Sequence, residues 1–252
     1  GAGLMGGGIA QVCAQAGYEV TMIDLSDEII KKSLKAIQWS VGKLAEKNRV
    51  QGTVDEIMGE QADEAIMTVQ KDQAIRENVT IEALSQLKPA FKENGVITAG
   101  NSSPLSAGAS SVLLMSKEKA MEKRIKPLAT VRSIGFAGVD PTIMGIGPVP
   151  ASKKALEYAD LRVEDIDYWE INEAFTVVTL YCIEELGIEP ERVNIKGGAT
   201  AIGHPLGATG CRLVGTLARI LNEKNARFGC ATACCGGGQG VATILERENY
   251  NW

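Results

Sequence analysis

The feature that most constrains this chain is a strand that breaks on glycine. Cys230-Ala-Thr-Ala-Cys-Cys235 is a run of small and β-branched residues and reads as a buried strand. It stops at Gly236-Gly237-Gly238, and a second strand-like run, Val241-Ala-Thr-Ile-Leu245, leaves on the other side. A thiol placed where a strand opens into glycines can be approached closely. The glycine N–H groups are free to face a developing oxyanion. The only histidine, His204, lies 30 positions before Cys234, inside the glycine-rich stretch Gly197–Gly210. Further back comes Asn172-Glu-Ala-Phe175, at the mouth of an expected helix. A thiol, an imidazole and a carboxamide, each beside glycine or a helix start, are the parts of an acyl-transfer site.

The rest of the chain alternates helix and strand patterns, which predicts an α/β layer architecture. From Ser26, a credible N-cap, a helix is expected to about Asn48. Its stripe is Ile29, Ile30, Leu34, Ile37, Val41 and Leu44. A polar, poorly periodic stretch follows, with a seam near residues 57–64. Glu64–Val69 and Val96–Gly100 look like strands, and Thr80 is placed to cap a short helix over Ile81–Leu87. A strand is expected over Leu128–Ile134 and a helix from Ala151 to about Ala159. Ile166–Ile171 reads as a buried strand, and Asn172 opens a helix ending at Gly187. Thr209 is read as the cap of a helix whose core stripe is Leu213, Val214, Leu217, Ile220 and Leu221.

The first residues carry their own motif. Gly1, Gly3 and Gly6 fit G-x-G-x-x-G and lead into a helix. A strand follows and ends at Asp24, 21 positions after Gly3. That spacing suits a carboxylate on a ribose hydroxyl, with the glycines and the helix start receiving a pyrophosphate. The loop therefore offers a site for NAD, although the strand that should lead into Gly1 is missing.

Net charge is −5 and no long Lys/Arg cluster occurs, which argues against nucleic acid. No apolar run approaches the roughly 20 residues that span a bilayer, so no membrane partner is expected. Six cysteines without the spacing of a secreted framework suggest reduced thiols and a cytoplasmic setting. Cys13, Cys182 and Cys211 read as core residues. The C-x₃-C-C spacing of Cys230, Cys234 and Cys235 is not a usual zinc pattern, and no metal is expected.

Two resemblances follow from these motifs. Gly1 to about Gly59 resembles the start of the NAD-binding domain of 3-hydroxyacyl-CoA dehydrogenases. That family also needs a catalytic His–Glu pair, and the only histidine here has a different context. From about Glu64 onward the chain resembles the C-terminal part of a thiolase. The matching stretches are Leu84–Phe91, Thr98–Ser103, Gly138–Pro150, Asn172–Phe175, Gly203–Gly207 and Cys234–Gly238. The expected fold is thus a thiolase-like layered α/β half-fold, residues 60–252, preceded by a partial Rossmann-type segment, residues 1–59.

The thiolase resemblance implies a role for each matched residue. His204 would polarise the thioester carbonyl and activate a nucleophilic cysteine. Asn172 would hold a water that completes the same oxyanion hole. Cys234 would act as general acid/base on the acetyl-CoA carbon. The Gly236 N–H would serve a second oxyanion hole, and Ser103 would touch the pantetheine arm of coenzyme A. Three departures stand out. Ala107 replaces the usual acid of the second motif, Cys235 an aliphatic residue, and no cysteine occupies the nucleophile motif of the family's first half. The expectation is an acyl-CoA C-acyltransferase of β-oxidation that is incomplete alone, self-associating or completed by a partner chain. The alternatives are an NAD-dependent 3-hydroxyacyl-CoA dehydrogenase fragment and a non-catalytic CoA- or NAD-binding module.

Overall fold

A computed structural model describes residues 27–46, 75–76 and 79–248. The chain divides into two compact units. One holds Gly1–Glu77 with Ser106–Ala109 and Pro205–Gly207; the other holds Asn78–Leu105, Ser110–His204 and Ala208–Trp252. The expected boundary at residues 59/60 and the Glu64–Val69 strand lie outside the described residues.

In the first unit, helix α1 spans Asp27–Glu46. Ser33, Ile37 and Val41 recur every four residues and are buried. Leu34, expected on that stripe, is exposed, as is Trp39.

The second unit begins with two short helices. Helix α2 (Ile81–Ser85) is capped by Thr80, whose Oγ1 accepts from Ala83 N at 3.1 Å, as its sequence predicts. Helix α3 (Lys117–Glu122) is capped the same way by Ser116. Val96–Gly100 is not a strand. Asn101 ties it into a turn instead: its Oδ1 accepts from Thr98 N at 2.8 Å and its Nδ2 donates to Val96 O at 2.9 Å.

A four-stranded sheet forms the centre of this unit. Its strands are β1 (Ala129–Gly138), β2 (Tyr168–Ile171), β3 (Phe228–Cys235) and β4 (Gln239–Arg247), in the order β1-β4-β3-β2. β4 is antiparallel to both neighbours, while β2 and β3 run parallel. Helix α4 (Pro148–Ala159) starts three residues before its expected beginning, because a proline in the first turn has no N–H to satisfy. α4 and helix α5 (Thr176–Leu186) cover one face. There Ala151, Ala155, Val178 and Cys182 pack with Trp169, Ile171, Cys230, Cys234, Ala242 and Ile244. A Cβ on Gly135 of β1 would collide with the Ala151 carbonyl, so α4 lies flat on the strand only because that position is glycine. After the short helix α6 (Ala199–Ile202), helix α7 (Leu206–Glu223) covers the other face. Its Leu213, Leu217 and Leu221 pack on Ala231 and Leu245. The α7 stripe is the expected one, except that Val214 is only half-buried. Cys211 is likewise half-buried, whereas Cys182 is fully buried. No helix among the described residues is long and apolar enough to cross a membrane.

Candidate active site

The site is assembled at one end of the sheet, where β2 stops. Ile171 is its last residue, and both backbone groups of Ile171 are clamped by Asn194. The Ile171 N donates to Asn194 Oδ1 at 2.8 Å, and Asn194 Nδ2 donates to the Ile171 O at 2.9 Å. Asn172 continues the parallel ladder by one step, its N donating to Thr232 O at 2.9 Å. Asn172 therefore does not cap α5; that helix starts at Thr176. Glu173 turns to the next loop. Its carboxylate accepts from Asn194 Nδ2 at 2.7 Å and from Thr200 N at 2.9 Å. Gly198 has no room for a Cβ because the Glu173 carboxylate fills that space.

Gly203 sits at φ 93°, a conformation reserved for glycine, and delivers His204 to the end of β2. The His204 Nε2 lies 3.3 Å from Asn172 Nδ2, and its Nδ1 lies 2.7 Å from Thr209 Oγ1. Thr209 is not a cap: α7 already begins at Leu206, and Thr209 sits within its first turns, facing back to the imidazole. Burial lowers the His204 pKa, and the Arg212 charge lowers it further, so the ring is neutral at pH 7. Asn172 is fully buried, and its Oδ1 accepts no hydrogen bond from the described residues. A buried carboxamide oxygen of this kind suits a donor from outside the chain, such as a water or a ligand N–H.

Cys234 stands near the end of β3, the parallel neighbour of β2. It lies two residues beyond Thr232, the ladder partner of Ile171, or about 6.6 Å along the strand. It is 7% exposed and shares the core face with Cys230 and Cys182. Among the described residues its sulfur makes no hydrogen bond to His204 or Asn172. Burial raises the Cys234 pKa, and Cys235 adds to the rise against a small opposing backbone hydrogen bond. The thiol is thus held neutral and desolvated at pH 7. Cys182 and Cys230 are pushed up to about 12 by burial and are inert at neutral pH.

Gly236 is exposed at the β3–β4 turn, with open space where a side chain would stand. Ser103 is stitched to the Asn172–Phe175 stretch: its N and its Oγ both donate to Ala174 O, at 3.1 and 3.2 Å. Gly1, Gly3, Gly6 and Asp24 lie outside the described residues, as does Cys13. No group of three metal-binding side chains occurs among the described residues.

Sequence reasoning missed one support of the imidazole, Thr209. It also missed Glu170, a fully buried carboxylate whose Oε2 lies 3.7 Å from Arg212 Nη1 on α7. A charge inside the apolar run Tyr168-Trp-Glu-Ile171 was the available signal.

Comparison with known proteins bears on these residues. The family model "Thiolase, C-terminal domain" matches residues 125–247, and "Thiolase, N-terminal domain" matches residues 19–118. The second match overlaps the segment read as dehydrogenase-like from residue 19 onward; it includes Asp24 and leaves out Gly1, Gly3 and Gly6. The 3-ketoacyl-CoA thiolase of Marinobacter nauticus is 46% identical over 206 residues, 80% of this chain and 53% of the relative. That of Vibrio vulnificus is 49% identical over 193 residues, 75% of this chain and 50% of the relative. Among solved structures, the Bacillus anthracis acetyl-CoA acetyltransferase superposes with a TM-score of 0.68 at 46% identity. That superposition covers 71% of this chain and 45% of the other. Human mitochondrial 3-ketoacyl-CoA thiolase in complex with CoA gives a TM-score of 0.66 at 31% identity, over 97% of this chain and 58% of the other. The chain spans about half the length of the curated relatives it matches.

Proposed function

The chain belongs to the thiolase family, and from that premise we propose that it carries the C-terminal share of an acyl-CoA C-acyltransferase site. The reaction is thiolysis of a 3-ketoacyl-CoA by CoA, or its reverse, a Claisen condensation. The observation that carries this reading is the Asn172–His204 contact at the end of β2; Cys234 stands on the parallel neighbour β3, two residues beyond the partner of Ile171.

In the thiolytic direction a cysteine thiolate attacks the 3-keto carbon of the substrate, and the bond between C2 and C3 breaks. His204 takes the proton of that nucleophilic thiol at Nε2, where the thiol displaces the Asn172 amide; a neutral imidazole is competent to do so. Asn172 holds a water beside the developing oxyanion through its unpartnered Oδ1. The departing acetyl-CoA carbanion is protonated by Cys234, which its raised pKa keeps as a thiol until that moment. The Cys234 thiolate then takes the proton of the CoA thiol, CoA attacks the acyl-enzyme and releases the shortened acyl-CoA, and the freed nucleophilic cysteine regains its proton from His204. Gly236 contributes its N–H to the second oxyanion, and Ser103 lines the path of the pantetheine arm. None of the six cysteines in these 252 residues stands in the family's nucleophile motif, and the acyl-accepting cysteine is proposed to come from outside them, as on a partner chain. The described cysteines are all free, which supports a reducing, cytoplasmic compartment.

Purified chain, combined with a thiolase N-terminal half that carries the nucleophilic cysteine, is mixed with acetoacetyl-CoA and CoA, and loss of the enolate absorbance is followed. The expected result is turnover that falls by about 100-fold or more in Cys234→Ala and in His204→Ala. Activity indifferent to both substitutions, or no turnover at any protein concentration, would leave only a CoA-binding module.

A second reading concerns NAD. The Gly1, Gly3, Gly6 loop with Asp24 at ribose spacing supports a dinucleotide site independent of acyl transfer. NADH titration by fluorescence tests it: saturation that weakens in Asp24→Ala is expected, and saturation unaffected by that change counts against the site.

A further inference from the structure

The polar groups around His204 close into a ring. Starting at Asn172, the contacts run to His204 Nε2, then from His204 Nδ1 to Thr209 Oγ1 on α7. Arg212 follows three residues later on the same helix. Its Nη1 lies 3.7 Å from Oε2 of Glu170, which stands two residues before Asn172 on β2. β2 and α7 are thus joined twice, once through the imidazole and once through an ion pair behind it. Residues two apart on a strand share a face, and residues three apart on a helix are neighbours. The ion pair is therefore placed to set where Asn172 and Thr209 sit relative to each other.

The pair is not there for stability. Glu170 is fully buried, and its carboxylate oxygens accept no hydrogen bond from the described residues. The Arg212 nitrogens donate none to them either. A buried ion pair without hydrogen bonds recovers little of what it costs to strip both charges of water. A carboxylate fully inside an otherwise apolar strand, aimed at a guanidinium on the facing helix, has a consequence that packing alone lacks: it fixes register.

We propose that Glu170 and Arg212 are a positioning pair that locks β2 against α7, so that Asn172 and Thr209 grip opposite nitrogens of the His204 ring and hold it in one tautomer and one orientation. This rests on the acyl-transfer reading for its purpose, but not for its test. With the Asn172 amide nitrogen facing the ring, Nε2 accepts and Nδ1–H donates to Thr209. A neutral imidazole with a free choice would populate both tautomers.

Because His204 is the only histidine, its two ring nitrogens give a single pair of ¹⁵N signals with no assignment ambiguity. The experiment records them in the full chain at about pH 8.5, where the imidazole is neutral and the Glu170 carboxyl is ionised. In the wild type, the Nδ1–H tautomer is expected to dominate by roughly ten to one or more. In Glu170→Gln, which keeps the side-chain shape and removes the counter-charge, the ratio falls to about two to one or lower. The same loss is expected in Glu170→Gln/Arg212→Met, which leaves no lone buried charge and so protects the fold if the single variant does not accumulate. Thr209→Ala gives the reference signature for a ring that has lost its grip. A folded Glu170→Gln or double variant with the wild-type ratio overturns the proposal, as does a wild type with mixed tautomers. A wild type with one tautomer and no thiolysis leaves this pair standing and overturns the acyl-transfer reading instead.

Discussion

At the scale of single residues, the most informative group is Glu170. Burial raises its pKa from 4.5 to about 7; the Arg212 charge opposes that rise and Glu173 adds to it. A carboxyl whose pKa is higher in the folded state favours folding when protonated. That contribution is complete below about pH 4.5 and is lost as pH climbs through 7. His204 acts with the opposite sign. Its lowered pKa makes its contribution present above the ordinary imidazole range and lost as pH falls through the folded value. The two are separated by comparing wild type with Glu170→Gln in urea titrations between pH 4.5 and 7.5. The stability advantage of the wild type is expected to shrink by about 3 kcal/mol across that range, and a pH-independent difference would show that Glu170 ionises normally.

At the scale of elements, the β3–β4 turn is where sequence and geometry agree most closely. Three glycines predicted the break, and two of them sit at positive φ: Gly237 at 84° and Gly238 at 81°. They are not equivalent to Gly236. A Cβ on Gly238 would strike the Val139 carbonyl and the Pro141 backbone, whereas one on Gly236 meets open space. Gly238→Ala is therefore expected to cost about 2–3 kcal/mol of stability, and Gly236→Ala less than about 0.5 kcal/mol, by thermal or urea unfolding. Equal losses would mean that the turn does not pack as described. The α7 stripe and the Thr80 cap were legible because hydrophobic period and capping chemistry are local. The start of α7 was not. Pro205, Gly207 and Gly210 read as loop by propensity, but packing of Leu213 and Leu217 on the sheet carries the helix back to Leu206 and puts Thr209 inside it. Asn172 and His204 were legible as candidates through their motifs. Thr209, Asn194 and the Glu170–Arg212 pair were not, since each works through a partner between 5 and 42 positions away.

At the scale of the second unit as a whole, the sheet ends on β1. Among the described residues β1 pairs only with β4, and Val131, Ile134 and Phe136 on it are exposed, Phe136 by 64%. Apolar side chains on an unpaired strand favour association with another copy. Light scattering after size exclusion is expected to show a mass that rises with concentration and falls toward the monomer in Phe136→Lys. A monomer at all concentrations would count against self-association through this edge. The sheet order has one more consequence. The strand that joins both halves of the sheet, β3, is separated from its parallel neighbour β2 by 56 residues. A chain cut between His204 and Phe228 keeps Asn172 and His204 but loses β3, β4 and Cys234. Such a truncation thus yields a polypeptide with the imidazole and the carboxamide and none of their alignment.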